Sequence, residues 1–101
     1  MLLFSHKFRV GEKTFRFLTT RKKDRGHVAR LKNELVLSPL PTPGDVATLR
    51  RFLERLPEFV CLIASRTDPG VTARDMLCAD VDTLAGIVSK QIALLGWAAK
   101  R

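Results

Sequence analysis

The sequence predicts an α+β fold: a two-layer sandwich in which an N-terminal β-hairpin or meander leads into a β-α-β-β-α arrangement with its helices on one face. Three observations predict it. Two short runs of alternating polarity flank Gly11, and period two is the signature of strands. A capping sequence, Thr42-Pro43-Gly44-Asp45, precedes an apolar stripe of helical period. A six-residue apolar run, Phe59 to Ala64, has strand length and stands between breakers.

In the first strand, residues 3–10, Phe4, His6, Phe8 and Val10 share one face, and Leu3, Ser5, Lys7 and Arg9 the other. Gly11-Glu12-Lys13 reads as a hairpin loop. Residues 14–20 alternate again, with Phe15, Phe17 and Thr19 opposed to Arg16, so phenylalanines face each other across the hairpin. Arg21 to Gly26 is a basic turn, with Gly26 expected at positive φ. Residues 27–38 fit a helical stripe (Val28, Leu31, Leu35) and also a strand (Leu31, Asn33, Leu35, Leu37). Leu35-Val36-Leu37 ahead of Pro39 favours a strand at least over 34–38. Pro39-Leu40-Pro41 can join neither a ladder nor a helix interior.

The next element is a helix. Thr42 is placed at its N-cap, Pro43 at its first position and Asp45 near its positive end. Val46, Leu49, Phe52, Leu53 and Leu56 form its apolar face, and Pro57 ends it. The run from Phe59 to Ala64 reads as a buried strand, and Thr67-Asp68-Pro69-Gly70 as a turn. Val71 to Ala79 alternates loosely, as a return strand would; the alternative is a helix capped by Thr72 with Asp75 at its third position. Asp80 caps the last helix, whose apolar face (Val81, Leu84, Ile87, Val88, Ile92, Leu95) is widened by Leu94 and Trp97. One small sheet covers less than that face, so a homodimer is expected, with Leu84, Ile87, Val88, Leu94, Leu95 and Trp97 at its interface. A right-handed crossover would set strands 34–38 and 59–65 parallel. From residue 34 the element order is ferredoxin-like without the final strand, an architecture that hosts many functions.

The length, 101 residues, allows one domain, 1–101. Its 18 Lys and Arg against 10 Asp and Glu give a net charge of +8, and that charge is localised. Residues 1–33 carry ten cations against Glu12 and Asp24; in residues 34–101 eight cations meet eight acids. A basic hairpin element thus precedes a neutral α+β body. Charge confined to one element points to a polyanion, whose binding is driven by release of condensed counterions.

Other chemistry has little support. His6, His27, Cys61 and Cys78 are the only histidines and cysteines, and their spacing matches no zinc pattern. Cys61 lies in an apolar run and reads as an inert core thiol; Cys78 reads the same way. His6 is expected half-buried on the sheet and His27 facing solvent. Asp75, Asp80 and Asp82 suit helix starts better than a metal site. No phosphate-cradling glycine loop or nucleophile elbow occurs, so no enzyme, cofactor or metal is expected. No apolar run reaches the ~20 residues of a membrane helix, and Met1 to Phe4 meets His6 and Lys7 too soon for a signal peptide. A soluble, intracellular, cytoplasmic protein is expected.

Phe8, Phe15 and Phe17 have the type and spacing of base-stacking residues, but phenylalanines along one face of a strand more often face a core. The cations do not depend on that choice. Lys7, Arg9, Arg16, Arg21, Lys22, Lys23 and Arg25 are the expected phosphate contacts, with Arg30 and Lys32 in support. The expected function is a small, non-enzymatic module binding nucleic acid, RNA or DNA. The alternative is an interaction or regulatory module whose basic hairpin docks on an acidic partner protein.

Overall fold

A computed structural model of the protein describes residues 6–38 and 41–97. The expected strand residues Leu3, Phe4 and Ser5, the break at Pro39-Leu40 and the helix end at Ala98-Ala99 lie outside them. Strands β1 (Lys7–Val10) and β2 (Lys13–Arg16) form an antiparallel hairpin with Phe8 opposite Phe15. A 3-10 turn, Lys22–Asp24, leads into helix α1 (Arg25–Leu37). Helix α2 spans Val46–Ala64, a 3-10 helix spans Ala73–Cys78, and α3 spans Val81–Leu94. No further strand occurs among the described residues, so the ferredoxin-like sandwich expected from the sequence does not form. The fold is a hairpin laid on three helices.

The hairpin is the element whose local sequence dictates its form. Gly11 and Glu12 make a two-residue loop. Gly11 has φ +63° while Glu12 does not take positive φ, which is the pattern of a type II′ turn. Phe8, Val10, Phe15 and Phe17 face inward and are buried. The Phe8 ring lies 5.5 Å from that of Phe15 and 4.7 Å from that of Phe17.

Three expected strands are helical or 3-10 instead, each for a packing reason. In 34–38 Leu35 packs partly buried against the core and Ser38 is buried, while Val36 and Leu37 are exposed. The alternative stripe of Val28, Leu31 and Leu35 is the one that packs on the core, whereas Asn33 and Leu37 of the strand reading are exposed. Gly26, expected at positive φ in a turn, lies inside α1. The run 59–64 continues α2 straight through Pro57. A proline inside a helix costs about 3 kcal/mol, through a lost bond and a clash with the carbonyl four residues back. Beyond it, however, Phe59, Val60 and Ile63 are buried, each contributing roughly 1.5–3 kcal/mol. Burial exceeds the defect. In 71–79 the capped alternative forms as a 3-10 helix: Asp75 accepts the Thr72 N–H at 2.8 Å, and buried Met76 anchors it.

The start of α2 is displaced from its expected place. Thr42 to Asp45 form a turn closed by Asp45 N–H to Thr42 C=O at 3.1 Å, with Gly44 at φ +86°, as a Pro-Gly type II turn requires. Asp45 rather than Thr42 caps the helix, accepting the Thr48 N–H at 2.9 Å.

Helix α3 finds its second surface within the chain. Leu84, Ile87 and Val88, expected at a dimer interface, are buried in the core; Leu94, Leu95 and Trp97 are half-buried, with Leu94 and Trp97 packed against that core. The helix ends in a Schellman arrangement. Trp97 N–H reaches Ile92 C=O at 2.9 Å and Gly96 N–H reaches Ala93 C=O at 3.1 Å, with Gly96 at φ +74°. The hairpin abuts α3 through Gln91, which is fully buried. Its side chain accepts the Leu18 N–H at 2.7 Å and donates to the Leu18 carbonyl at 2.9 Å. A glutamine thereby completes the strand end where no third strand exists.

Two stability measurements test this account. Pro57→Ala restores a donor for the Leu53 carbonyl and is expected to stabilise the protein by roughly 2 kcal/mol, seen as a higher urea midpoint. Gln91→Leu leaves the Leu18 amide and carbonyl unpaired in the interior and is expected to cost about 2–4 kcal/mol by the same measurement.

Candidate nucleic-acid interface

The hairpin's alternation puts Lys7, Arg9, Thr14 and Arg16 on its outer, exposed face. Lys7 stands directly opposite Arg16. The next pair outward is bonded, Phe17 N–H to His6 C=O at 2.9 Å, while the Arg16 N–H turns away to Thr67 Oγ1 at 3.0 Å. Lys7 and Arg16 are therefore a non-hydrogen-bonded pair, the kind whose side chains come closest. Two cations so placed repel.

From Arg16 the chain dips into the core at Phe17 and Leu18 and emerges at Thr19. What holds the next turn is Asp24, which is fully buried. Its carboxylate accepts the Thr19 N–H at 3.0 Å and the Thr19 hydroxyl, and forms an ion pair with the Arg66 guanidinium just past the end of α2. The Arg21 N–H returns to Thr19 Oγ1 at 3.2 Å. Burial pushes the Asp24 carboxyl up, but the Thr19 hydrogen bonds and the Arg66 charge outweigh it, so the group is held below the ordinary carboxylate value. Around this one buried anion, Arg21, Lys22, Lys23 and Arg25 are all exposed. They crowd the start of a helix, whose positive end disfavours cations.

The structure thus gathers seven of the nine expected contacts into two clusters: Lys7, Arg9 and Arg16 on the hairpin, and Arg21, Lys22, Lys23 and Arg25 at the turn. Arg30 and Lys32 do not join them as a pair. Two positions apart on a helix, they leave about 200° apart. Arg30 lies on the α2 side, where its charge is felt by Cys61, and Lys32 extends over the Trp97 ring, 5.8 Å from its centroid. Among the described residues, the cations with acidic partners are Lys13 (Asp68, 3.4 Å), Arg55 (Glu34 and Glu58) and Arg66 (Asp24). None of the nine is among them.

Sequence reasoning missed Asp24, Thr19, Arg66 and Gln91. One signal for Asp24 was available: it is the only acid between Glu12 and Glu34.

The groups considered for catalysis have structural surroundings. Cys61 is half-buried, its thiol pushed up by burial and directed at the Val71 carbonyl, 3.6 Å away. Cys78 is exposed in a cleft of about 420 Å³ shared with Lys13, Arg74 and Asp75. Its Sγ meets the Asp75 backbone carbonyl at 3.2 Å, while the Asp75 carboxylate is engaged by Thr72. His6 is half-buried; His27, expected in solvent, is half-buried on α1. Asp80 caps α3 and accepts from the Thr83 hydroxyl. No described helix is long and apolar enough to cross a membrane. Comparison with protein families, with curated proteins and with solved structures found no match.

The buried ion pair makes a pH prediction. A carboxylate whose folded value is depressed stabilises the fold above its unfolded value, near 3.8, and that contribution is lost as pH falls through the lower folded value. Urea unfolding at pH 6 and at pH 3 should show wild type losing more stability on acidification than Asp24→Asn. Asp24→Ala, which leaves Arg66 unpaired, is expected to cost about 3–5 kcal/mol at neutral pH.

Proposed function

We propose that the protein is a small, non-enzymatic module that binds nucleic acid through Lys7, Arg9, Arg16, Arg21, Lys22, Lys23 and Arg25. The observation that carries this reading is seven exposed cations without acidic partners, in an arrangement that opposes the fold's own stability. Lys7 faces Arg16 across the hairpin, and four cations crowd a helix start whose one acid is buried. A merely solvated basic face gains nothing from such crowding. A row of phosphates relieves both repulsions and releases its counterions. Arg30 and Lys32 add to the field without sharing the surface.

The same surface favours nucleic acid over an acidic protein. Protein interfaces centre on apolar and aromatic anchors. Among the described residues, the exposed large apolar ones are Val36, Leu37, Val46, Leu49, Leu77 and Val81, and none of them is on the hairpin or the basic turn.

The test replaces Arg21, Lys22, Lys23 and Arg25 together by Gln and follows the anisotropy of a labelled 20-nucleotide DNA, as strand and as duplex, across a salt series. Wild type should show a steep negative slope of log affinity against log salt. The variant should lose at least tenfold in affinity at 100 mM salt, and its slope should flatten by roughly one for each phosphate contact removed. Its melting temperature should be unchanged or higher, since the crowding is relieved. Unchanged binding would remove the basis of the proposal, and tighter binding of polyglutamate than of either DNA would transfer the site to an acidic protein.

A further inference from the structure

We infer that the ligand is a duplex, gripped by its phosphate rows, rather than a single strand; this rests on the nucleic-acid reading above. The first observation concerns the aromatic rings. Proteins that hold single strands stack bases on exposed aromatic side chains, and that stacking offsets the ordering of a flexible chain. Here Phe8, Phe15 and Phe17 are 8%, 2% and 3% exposed, Phe52 and Phe59 are buried in the core, and Trp97 is half-buried beside Lys32. Among the described residues, the basic surface therefore presents no Phe or Trp ring to a base; its rings are the imidazoles of His6 and His27, both half-buried. The outer face of the hairpin consists of Lys7, Arg9, Thr14 and Arg16, groups that suit phosphate and sugar contact.

The second observation is rigidity. The cationic face is fixed from behind by the phenylalanine cluster, at its edge by the Arg16 N–H to Thr67, at its end by the Gln91 grip on Leu18, and beyond that by Asp24. A preset array gains most from a ligand whose charges are themselves preset, and a helical duplex is one. Spacing is compatible with this. Five residues from Arg16 to Arg21 reach at most about 17 Å, so the two clusters are close enough for one duplex, with a major groove about 12 Å wide, to meet both. Lys7 and Arg9, two residues apart on a strand, are about 6.6 Å apart along it.

The experiment compares a mixed-sequence 20-base-pair DNA duplex, its separated strand and the corresponding RNA duplex by anisotropy at 50 and 150 mM salt, with wild type and with Lys7→Gln/Arg16→Gln. Circular dichroism and melting confirm that the variant is folded. Expected are a duplex, DNA or RNA, bound at least tenfold more tightly than the strand, and a five- to tenfold loss in the variant. Equal or tighter binding of the strand would overturn the duplex assignment while leaving the proposed function standing. Binding of none of the three would overturn both.

Discussion

Helices α1 and α3, strand β2 and the 3-10 helix Ala73–Cys78 all pack against α2, and α2 reaches its full length only because the side chains beyond Pro57 are buried. Phe52 and Leu56 before the proline and Phe59, Val60 and Ile63 after it form one continuous stripe. Without the second half, the hairpin would rest on α3 with less of α2 beside it, and the 3-10 helix around Met76 would lose the helix it packs on. The helix defect is local and bounded, whereas the burial it permits is shared by several elements. That imbalance of magnitudes decides the architecture.

A two-stranded hairpin is marginal alone in water, and this one has no third strand beside it among the described residues. It persists because its inner face is nearly all core and because polar ends are met by side chains. Gln91 supplies to Leu18 both bonds a neighbouring strand would have supplied, and Thr67 takes the Arg16 amide. The neutral body therefore does more than carry the basic element. The charge boundary near residue 33 falls inside α1 and corresponds to no structural boundary.

Asp24 links the fold to the charged surface. One carboxylate joins the hairpin exit at Thr19, the start of α1 and the end of α2 at Arg66. In doing so it takes the one acid between Glu12 and Glu34 out of reach of Arg21, Lys22, Lys23 and Arg25. The burial that stabilises the turn is also what leaves the cations unneutralised. Structure and electrostatics here have a single cause.

What the sequence determined by itself was local or additive. The hairpin could be read from alternation and Gly11, the inward phenylalanines from their spacing, the last helix from its apolar face, and the cations from their count. Net charge does not depend on the fold, and a two-residue turn is specified by its own residues. The tertiary structure alone decided which apolar runs became strands. Leu35-Val36-Leu37 and Phe59 to Ala64 are too short for periodicity to separate strand from helix, and the choice went to the conformation that packed Val28 with Leu31 in one case and extended the stripe of Phe52 and Leu56 to Ile63 in the other. It alone decided that the wide face of α3 closes on its own chain. It also decided that Asp24 would be buried while its basic neighbours were not, because the partner that permits this, Arg66, lies 42 residues away in the chain.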